Sequence, residues 1–379
     1  MRMPRTTSLL SAVARRVRVR RERFVPPESF FTQHSASYAE IWLPSGGCYW
    51  DSLGYCTMCN YGAPLPVSAD AMVRAVEIAV AQLAPTTETL WVSAFDTLWD
   101  GEVPPEARRR IFEILATTPA KTIITECHPN SVRPAAVAEC VKQLEGHVFG
   151  LELGVETMDE FTRYASVNKP FSNELLERSV RCIRELGALP WANLIVGLPF
   201  LDTQEVVEGA AWSIGEALRL GFGRVVLFPN HVKEYTVAHL LAAANRYSPP
   251  DLWVMRDVIA RVPADTMHNI YFAWLDPRPH PGAPRVVYEP DASSTVDLRH
   301  ALECFNRSRD YVAIQKALAL PWSRPRTTDK RLPLVDRLLS QYRWLSEDHG
   351  EAGWWARHGE EVRAEVELGY SSSYMASLT

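Results

Sequence analysis

Three cysteines lie close together in the chain. Cys48, Cys56 and Cys59 belong to the run Gly46-Gly47-Cys48-Tyr49-Trp50-Asp51-Ser52-Leu53-Gly54-Tyr55-Cys56-Thr57-Met58-Cys59-Asn60-Tyr61-Gly62. Thiolates spaced Cys-x7-Cys-x2-Cys on a glycine-bearing loop can wrap an iron–sulfur cube, because glycine lets the backbone bend around the sulfurs. Three protein ligands occupy three irons of a [4Fe–4S] cluster and leave the fourth open to a substrate or cofactor. Zinc is one rival, but a structural zinc site takes four protein ligands in paired spacing, and the chain has no second Cys-x-x-Cys and no matching His pair. Chance packing cysteines are the other rival. Cys127, Cys140, Cys182 and Cys304 are scattered and read as small buried apolar side chains rather than as ligands of a second cluster. Seven cysteines cannot all pair; the cluster reads as metal ligation in a reducing, cytoplasmic setting.

The elements around this loop alternate. Strand-like runs are expected at Ala39–Leu43, Thr89–Ser93, Thr122–Thr125, Val148–Gly154, Trp191–Val196 and Arg224–Phe228. Helical patterns lie between them: one capped by Ser68, one opened by Pro104-Pro105 and running to Leu115, then Pro134–Leu144, Asn173–Leu186 and Thr203–Leu220. Strands joined by helices imply parallel pairing with right-handed crossovers. About six β-α units fit between residues 39 and 240, so the fold class is α/β, a partial (β/α)6 barrel. Periodicity alone leaves a doubly wound sheet open. Ser248-Pro249-Pro250 marks a break. Beyond it come short strands near 269–274 and 285–288, a loop at 276–284, and helices near 296–318, 334–346 and 354–366. The reading is therefore three parts: a basic arm at 1–35, the partial barrel at 36–245 and an α+β extension at 246–379 that covers the substrate.

Composition narrows the function classes. The 379 residues carry 40 basic and 45 acidic side chains, and 47% are apolar. That is ordinary globular composition and excludes global disorder. No run of 18 apolar residues exists, so no membrane partner is expected. Eight of the basic residues are arginines within residues 1–25, which leaves 32 basic against 44 acidic residues in the rest. The arm reads first as a solvated basic segment and second as an RNA- or substrate-contacting one.

The cysteine loop resembles that of radical S-adenosylmethionine (SAM) enzymes. Its expanded seven-residue gap and Cys-Thr-Met-Cys-Asn-Tyr-Gly ending are similar to the branch that holds archaeosine synthase and the Elongator catalytic subunit. The likeness continues through Ser93-Ala94-Phe95 with Asp100-Gly101-Glu102-Val103-Pro104, Glu126-Cys127-His128-Pro129, Gly150–Thr157, Asn168-Lys169, Gly197-Leu198-Pro199-Phe200 and Phe228–Val232. Ala94, Cys127-His128 and Pro170 depart from that pattern. The resemblance implies a radical SAM barrel whose [4Fe–4S] cluster, on Cys48, Cys56 and Cys59, binds SAM. One-electron cleavage of SAM would then give a 5′-deoxyadenosyl radical that abstracts hydrogen from substrate. It implies SAM contacts from Ser93, Asp96, Glu126, Glu156, Asn168, Lys169, Leu198 and Pro199, and substrate contacts from Asn230, His231 and Lys233. His128 reads equally well as a core histidine. The expected partners are an electron donor such as flavodoxin or ferredoxin and a small-molecule or nucleoside-like substrate, plausibly in natural-product biosynthesis. An acidic body disfavours a large nucleic-acid footprint. tRNA-base modification, as in archaeosine synthase, is the alternative, and a non-catalytic iron–sulfur or zinc protein the third reading.

Overall fold

The computed structural model describes residues 4–18, 30–62, 67–169, 171–275, 285–288, 295–321 and 332–378. Its centre is an open eight-stranded sheet. In chain order the strands are β1 (Phe30–Gln33), β2 (Tyr38–Trp42), β3 (Thr89–Ser93), β4 (Thr122–Cys127), β5 (Val148–Glu156), β6 (Leu189–Val196), β7 (Arg224–Pro229), β8 (Val232–Lys233), β9 (Ile270–Phe272) and β10 (Val286–Tyr288). The sheet order is β1-β2-β3-β4-β5-β6-β7-β9, while β8 and β10 form a separate ribbon. Pairing from β2 to β9 is parallel throughout, and only β1 runs antiparallel, on β2. This is the expected α/β partial barrel, with one parallel strand more than the six predicted. The addition, β9, comes from beyond residue 246, so the sheet crosses the boundary expected near 245.

Period-two alternation sorts each strand's side chains. Ala39 and Ile41, Leu90 and Val92, Phe149, Leu151 and Leu153, Ala192 and Leu194, and Val225 and Leu227 all join the core beneath the covering helices. Their neighbours face the concave side. At its base Trp91, Ile124, Trp191, Val226 and Tyr271 form a small apolar plug. Above the plug the concave residues turn polar, with Ser93, Glu126, Glu152 and Asn193. Parallel strands covered on both faces are normally apolar throughout, so this polar layer signals a site.

The helices follow their caps. Ser68 accepts from Ala71 N–H at the start of the helix Ala69–Val80. The helix Thr203–Leu220 is capped one residue earlier than expected, by Asp202 in a reciprocal box with Glu205, and it stops at Gly221 (φ 106°). The helix expected over 296–318 is two, Val296–Ser308 and Tyr311–Ala319. Arg309 turns left-handed (φ 56°) and Asp310 caps the second.

The N-terminal segment corrects the expectation of a solvated arm. Residues Arg5–Arg18 form a helix whose Leu9, Leu10, Val13 and Ala14 are buried. They share a second core with Cys56 and Met58 of the cysteine loop, and with Leu338, Tyr342 and Leu345 of the C-terminal helix Leu334–His349 and Val362 and Val366 of Trp354–Ser371. Arg5 pairs with Glu361, and Arg16 donates to the carbonyls of His349 and Gly350. The arginine content masked an amphipathic helix. The arginines at 2, 20, 21 and 23, Pro170 and the loop expected at 276–284 lie outside the described residues. No helix of the described residues is long and apolar enough to cross a membrane.

Candidate functional site

The cysteine loop leaves the end of β2 and is closed at its base by a bridge between Gly47 and Gly62, with Cys48 N–H donating to the Tyr61 carbonyl at 3.2 Å. A single helical turn, Tyr49–Ser52, follows Cys48. Asp51 is fully buried and accepts from Gly62 N–H at 2.5 Å. Gly54 then takes φ 86°, and Cys56 takes φ 61°, where a non-glycine residue is strained. Remote segments hold these turns. Arg18 pairs with the Asp51 carboxylate at 2.5 Å. It also donates to four loop carbonyls, those of Asp51 (2.9 Å), Tyr55 (2.9 Å), Cys56 (3.0 Å) and Cys59 (2.9 Å). Thr57 bonds the carbonyls of Ser166 and Val167, and Asn60 bonds that of Glu234.

A cavity of about 160 Å³ opens between this loop and the C-terminal ends of the strands. Cys48, Cys56 and Cys59 all line it. Cys56 and Cys59 share a hydrogen bond that raises the first thiol's pKa and lowers the second's; burial raises the Cys48 thiol. Among the described residues no three His, Cys, Asp or Glu side chains are arranged to close on one metal ion. The donor set, three soft thiols on one wall of a cavity with space before them, fits a cluster in which each sulfur takes a different iron.

Seven further expected residues line the same cavity: Ser93, Glu126, Glu156, Lys169, Asn230, His231 and Lys233. Ser93 Oγ donates to Glu126 Oε1 at 3.1 Å. Burial pushes the Glu126 carboxyl up to about 8, against the Ser93 hydrogen bond and with Glu40 and Glu156 adding to it. Glu156 ends β5 at φ 67°, where the register with β6 slips. Lys169 reaches back to it, with Nζ 2.5 Å from Glu156 Oε1 and 2.8 Å from the Gly154 carbonyl. Burial works against the Lys169 charge, but Glu156 and the Cys56 thiol outweigh it and raise its pKa. A Cβ on Gly154 would stand 2.7 Å from that Nζ, so glycine lets the ammonium come this close. Asn230 donates to the Gly197 carbonyl and the Tyr247 hydroxyl, His231 Nε2 contacts the Trp274 carbonyl at 2.7 Å, and Lys233 sits 5.2 Å from the centre of the Tyr61 ring.

Four expected SAM contacts do not reach the cavity wall. Asp96 is buried just behind it, where it accepts from Ser131 Oγ at 2.5 Å, and burial raises its carboxyl to about 7. Asn168 is fully buried in a left-handed turn (φ 60°) and donates to Ser11 Oγ of the N-terminal helix. Leu198 lines a separate small cavity beyond Glu156, and the Pro199 carbonyl accepts from Ser166 Oγ at 2.6 Å. Asp96, Leu198 and Pro199 lie in the turns beyond β3 and β6, and these turns and the left-handed Asn168 aim the groups elsewhere.

Other cavity residues were not foreseen. Glu152 and Asn193 face it from β5 and β6; an isolated polar residue in an apolar strand was the available signal. His128, which the sequence left open between a site residue and a core histidine, lines it too and stacks on Trp50 at 4.2 Å. Its Nδ1 accepts from Asn130 N–H, so the neutral ring carries its proton on Nε2, and burial keeps the ring neutral by lowering its pKa. Trp42, Tyr61, Phe95 and Trp274 form an aromatic seam along the rim. Trp42 at the end of β2 meets Trp274, just past β9, at 5.7 Å. The seam thus joins the two sides of the open sheet.

No family model matches the chain. It is 28% identical over 227 residues to archaeosine synthase subunit beta of Methanosarcina acetivorans, covering 58% of this chain and 65% of that one. It is 29% identical to the subunit of the same name from Thermococcus kodakarensis, covering 58% and 70%. An uncharacterised protein of Methanocaldococcus jannaschii matches at 26% identity over 59% of this chain and 63% of its own length. The match therefore spans a little under two thirds of two of these relatives. Among solved structures, methylornithine synthase aligns with a TM-score of 0.46 at 13% identity, over 82% of this chain and 91% of that one. The Methanocaldococcus infernus Elp3 aligns at 0.45 and 13%, over 64% and 61%. Likenesses at that level say nothing of chemistry. The cysteine loop is similar to that of radical SAM enzymes, and two of the sequence relatives carry the name of the branch that the loop resembles.

Proposed function

We propose that the protein is a radical SAM enzyme acting on a small-molecule or nucleoside-like substrate, plausibly in natural-product biosynthesis. The observation that carries this reading is the meeting of Cys48, Cys56 and Cys59 with Ser93, Glu126, Glu156 and Lys169 on one cavity at the strand C-termini, the working end of a parallel barrel. Cys48, Cys56 and Cys59 would hold a [4Fe–4S] cluster, which with bound SAM would supply one-electron radical chemistry for removing hydrogen from a substrate carbon.

The chain's own residues then have separable tasks. The three cysteines hold the cluster, and Arg18 fixes the loop that carries them. Glu126, oriented by Ser93, accepts from the SAM ammonium. Lys169, held by Glu156, faces the SAM carboxylate. The aromatic seam and the plug of Trp91, Trp191 and Tyr271 would close the site against solvent-borne reductants and stray hydrogen donors. Asn230, His231 and Lys233 bound the substrate side, and an electron donor such as flavodoxin or ferredoxin feeds the cluster.

The relatives' name favours a tRNA base as the alternative substrate. Against it, the described arginines of the N-terminal helix are engaged within the fold: Arg15 bonds the Leu53 carbonyl, Arg16 the C-terminal helix and Arg18 the cysteine loop. The test is anaerobic reconstitution, counting of iron and sulfide, and assay of 5′-deoxyadenosine with dithionite. Wild type should yield it, and Cys48→Ala, Cys56→Ala or Cys59→Ala should yield neither cluster nor product. Zinc in the anaerobically isolated protein, or product from a cysteine variant, refutes the reading.

A further inference from the structure

We infer that Glu152 and Asn193, on the floor of the cavity, bind a cationic N–H-donating group of the substrate: an amine, amidine or guanidine. This rests on the radical SAM reading and adds the chemistry of the substrate to it.

Glu152 lies in the middle of β5, only 2% exposed, and lines the cavity. Its Oε2 accepts no hydrogen bond, although a buried carboxylate without a donor is costly. Asn193 is its diagonal neighbour on β6, since Gly154 pairs with Asn193 and Glu152 with Trp191. Its Oδ1 likewise accepts nothing. Two adjacent acceptors, one of them acidic, therefore border the same space, and neither receives a hydrogen bond from the described residues.

The charges around them point the same way. Glu126 and Glu156 raise the Glu152 carboxyl beyond what burial alone does. Lys169 is committed to Glu156 and the Gly154 carbonyl, and Lys233 lies by Tyr61 and the Cys59 thiol. A SAM ammonium on Glu126 would answer one carboxylate. Glu152, its partner across the β4–β5 register, would still lack a positive neighbour. Trp42, Tyr61 and Trp274 line the same cavity, and aromatic rings accommodate a neighbouring cation better than an anion. An anionic or phosphorylated head group would instead meet three carboxylates.

The test uses the reconstituted enzyme with SAM and three flat probes of one shape: benzamidine (cationic), benzamide (neutral) and benzoate (anionic), titrated calorimetrically. Benzamidine should bind at least about tenfold more tightly than either of the others. Glu152→Gln should bring benzamidine and benzamide to within about threefold, and Asn193→Asp should tighten benzamidine further. Equal binding of benzoate or benzamide by wild type, or an unchanged preference in Glu152→Gln, overturns the assignment. If Glu152→Gln does not fold, Asn193→Asp decides: unchanged or weaker benzamidine binding overturns it. Failure of wild type to release 5′-deoxyadenosine would sink the radical reading alone, since the ranking of probes does not depend on turnover.

Discussion

The two walls of the cavity are built by opposite means. The strand-end wall is positioned by register: once β4, β5 and β6 pair in parallel, Glu126, Glu152 and Asn193 must face the concave side together. The cysteine loop has no ladder to hold it. Its shape depends on groups far away in sequence, above all Arg18, which lies 33 to 41 residues from the carbonyls it bonds. A sheet can therefore tolerate loss of one contact on its wall, whereas the loop leans on one guanidinium that meets Asp51 and four of its carbonyls.

Removing that anchor should have the largest effect. Arg18→Ala takes one buried cation from Asp51 and from four loop carbonyls, and breaking a buried pair from one side costs about 3–5 kcal/mol. The loop should also lose its grip on the cluster, with less iron and sulfide retained per chain after reconstitution and gel filtration. Arg18→Lys keeps the charge but not the planar fork that serves Asp51 and four carbonyls at once, so its losses should be intermediate. If Arg18→Ala keeps wild-type iron content and an unchanged denaturant midpoint, the contrast between the walls fails.

Lys169 tests the other wall. Lys169→Met takes the partner of Glu156 away, but the pairing of β5 with β6 stays in place, so the loss should be smaller, about 1–3 kcal/mol. The double variant Glu156→Gln/Lys169→Met should cost less than the sum of its single variants, because each removes the same contact. Strict additivity in denaturant unfolding would show that the pair is not coupled and that register alone holds this wall.

The contrast also explains what could be read from the chain. The strands were legible because alternation and short loops are local: Thr89–Ser93 falls where the residues predict it, and Val148–Gly154 extends only to Glu156. The cysteines were legible because their chemistry lies in their spacing. The N-terminal helix was not, because its short apolar stripe of Leu9, Leu10 and Val13 runs straight into Arg15, Arg16 and Arg18, whose partners are a loop and a distant C-terminal helix. Asp96 and Asn168 have the right residue types near the right strand ends. Their final directions depend on a turn and on a left-handed residue that no spacing reveals. Glu152 and Asn193 were missed for the converse reason: each lies inside a strand, where the search for chemistry looked only at strand ends.

The smallest effect sharpens how closely the helix and the loop must approach. At Gly54 two demands coincide: a φ of 86°, and a Cβ that would fall 2.7 Å from Arg15 Cγ and 2.8 Å from the Ser11 carbonyl. The Arg15 side chain can move aside, but the Ser11 carbonyl belongs to the helix backbone and cannot. Gly54→Ala should lower stability by about 1–3 kcal/mol, within the range for a strained backbone position, as read from denaturant unfolding. Gly54→Asn separates the two demands, since asparagine accepts the left-handed region but brings the same Cβ. It should be no better tolerated than alanine. Recovery of most of the stability by asparagine would mean that backbone conformation, not helix contact, dictates the glycine, and that Arg18 spans a looser gap than the packing implies.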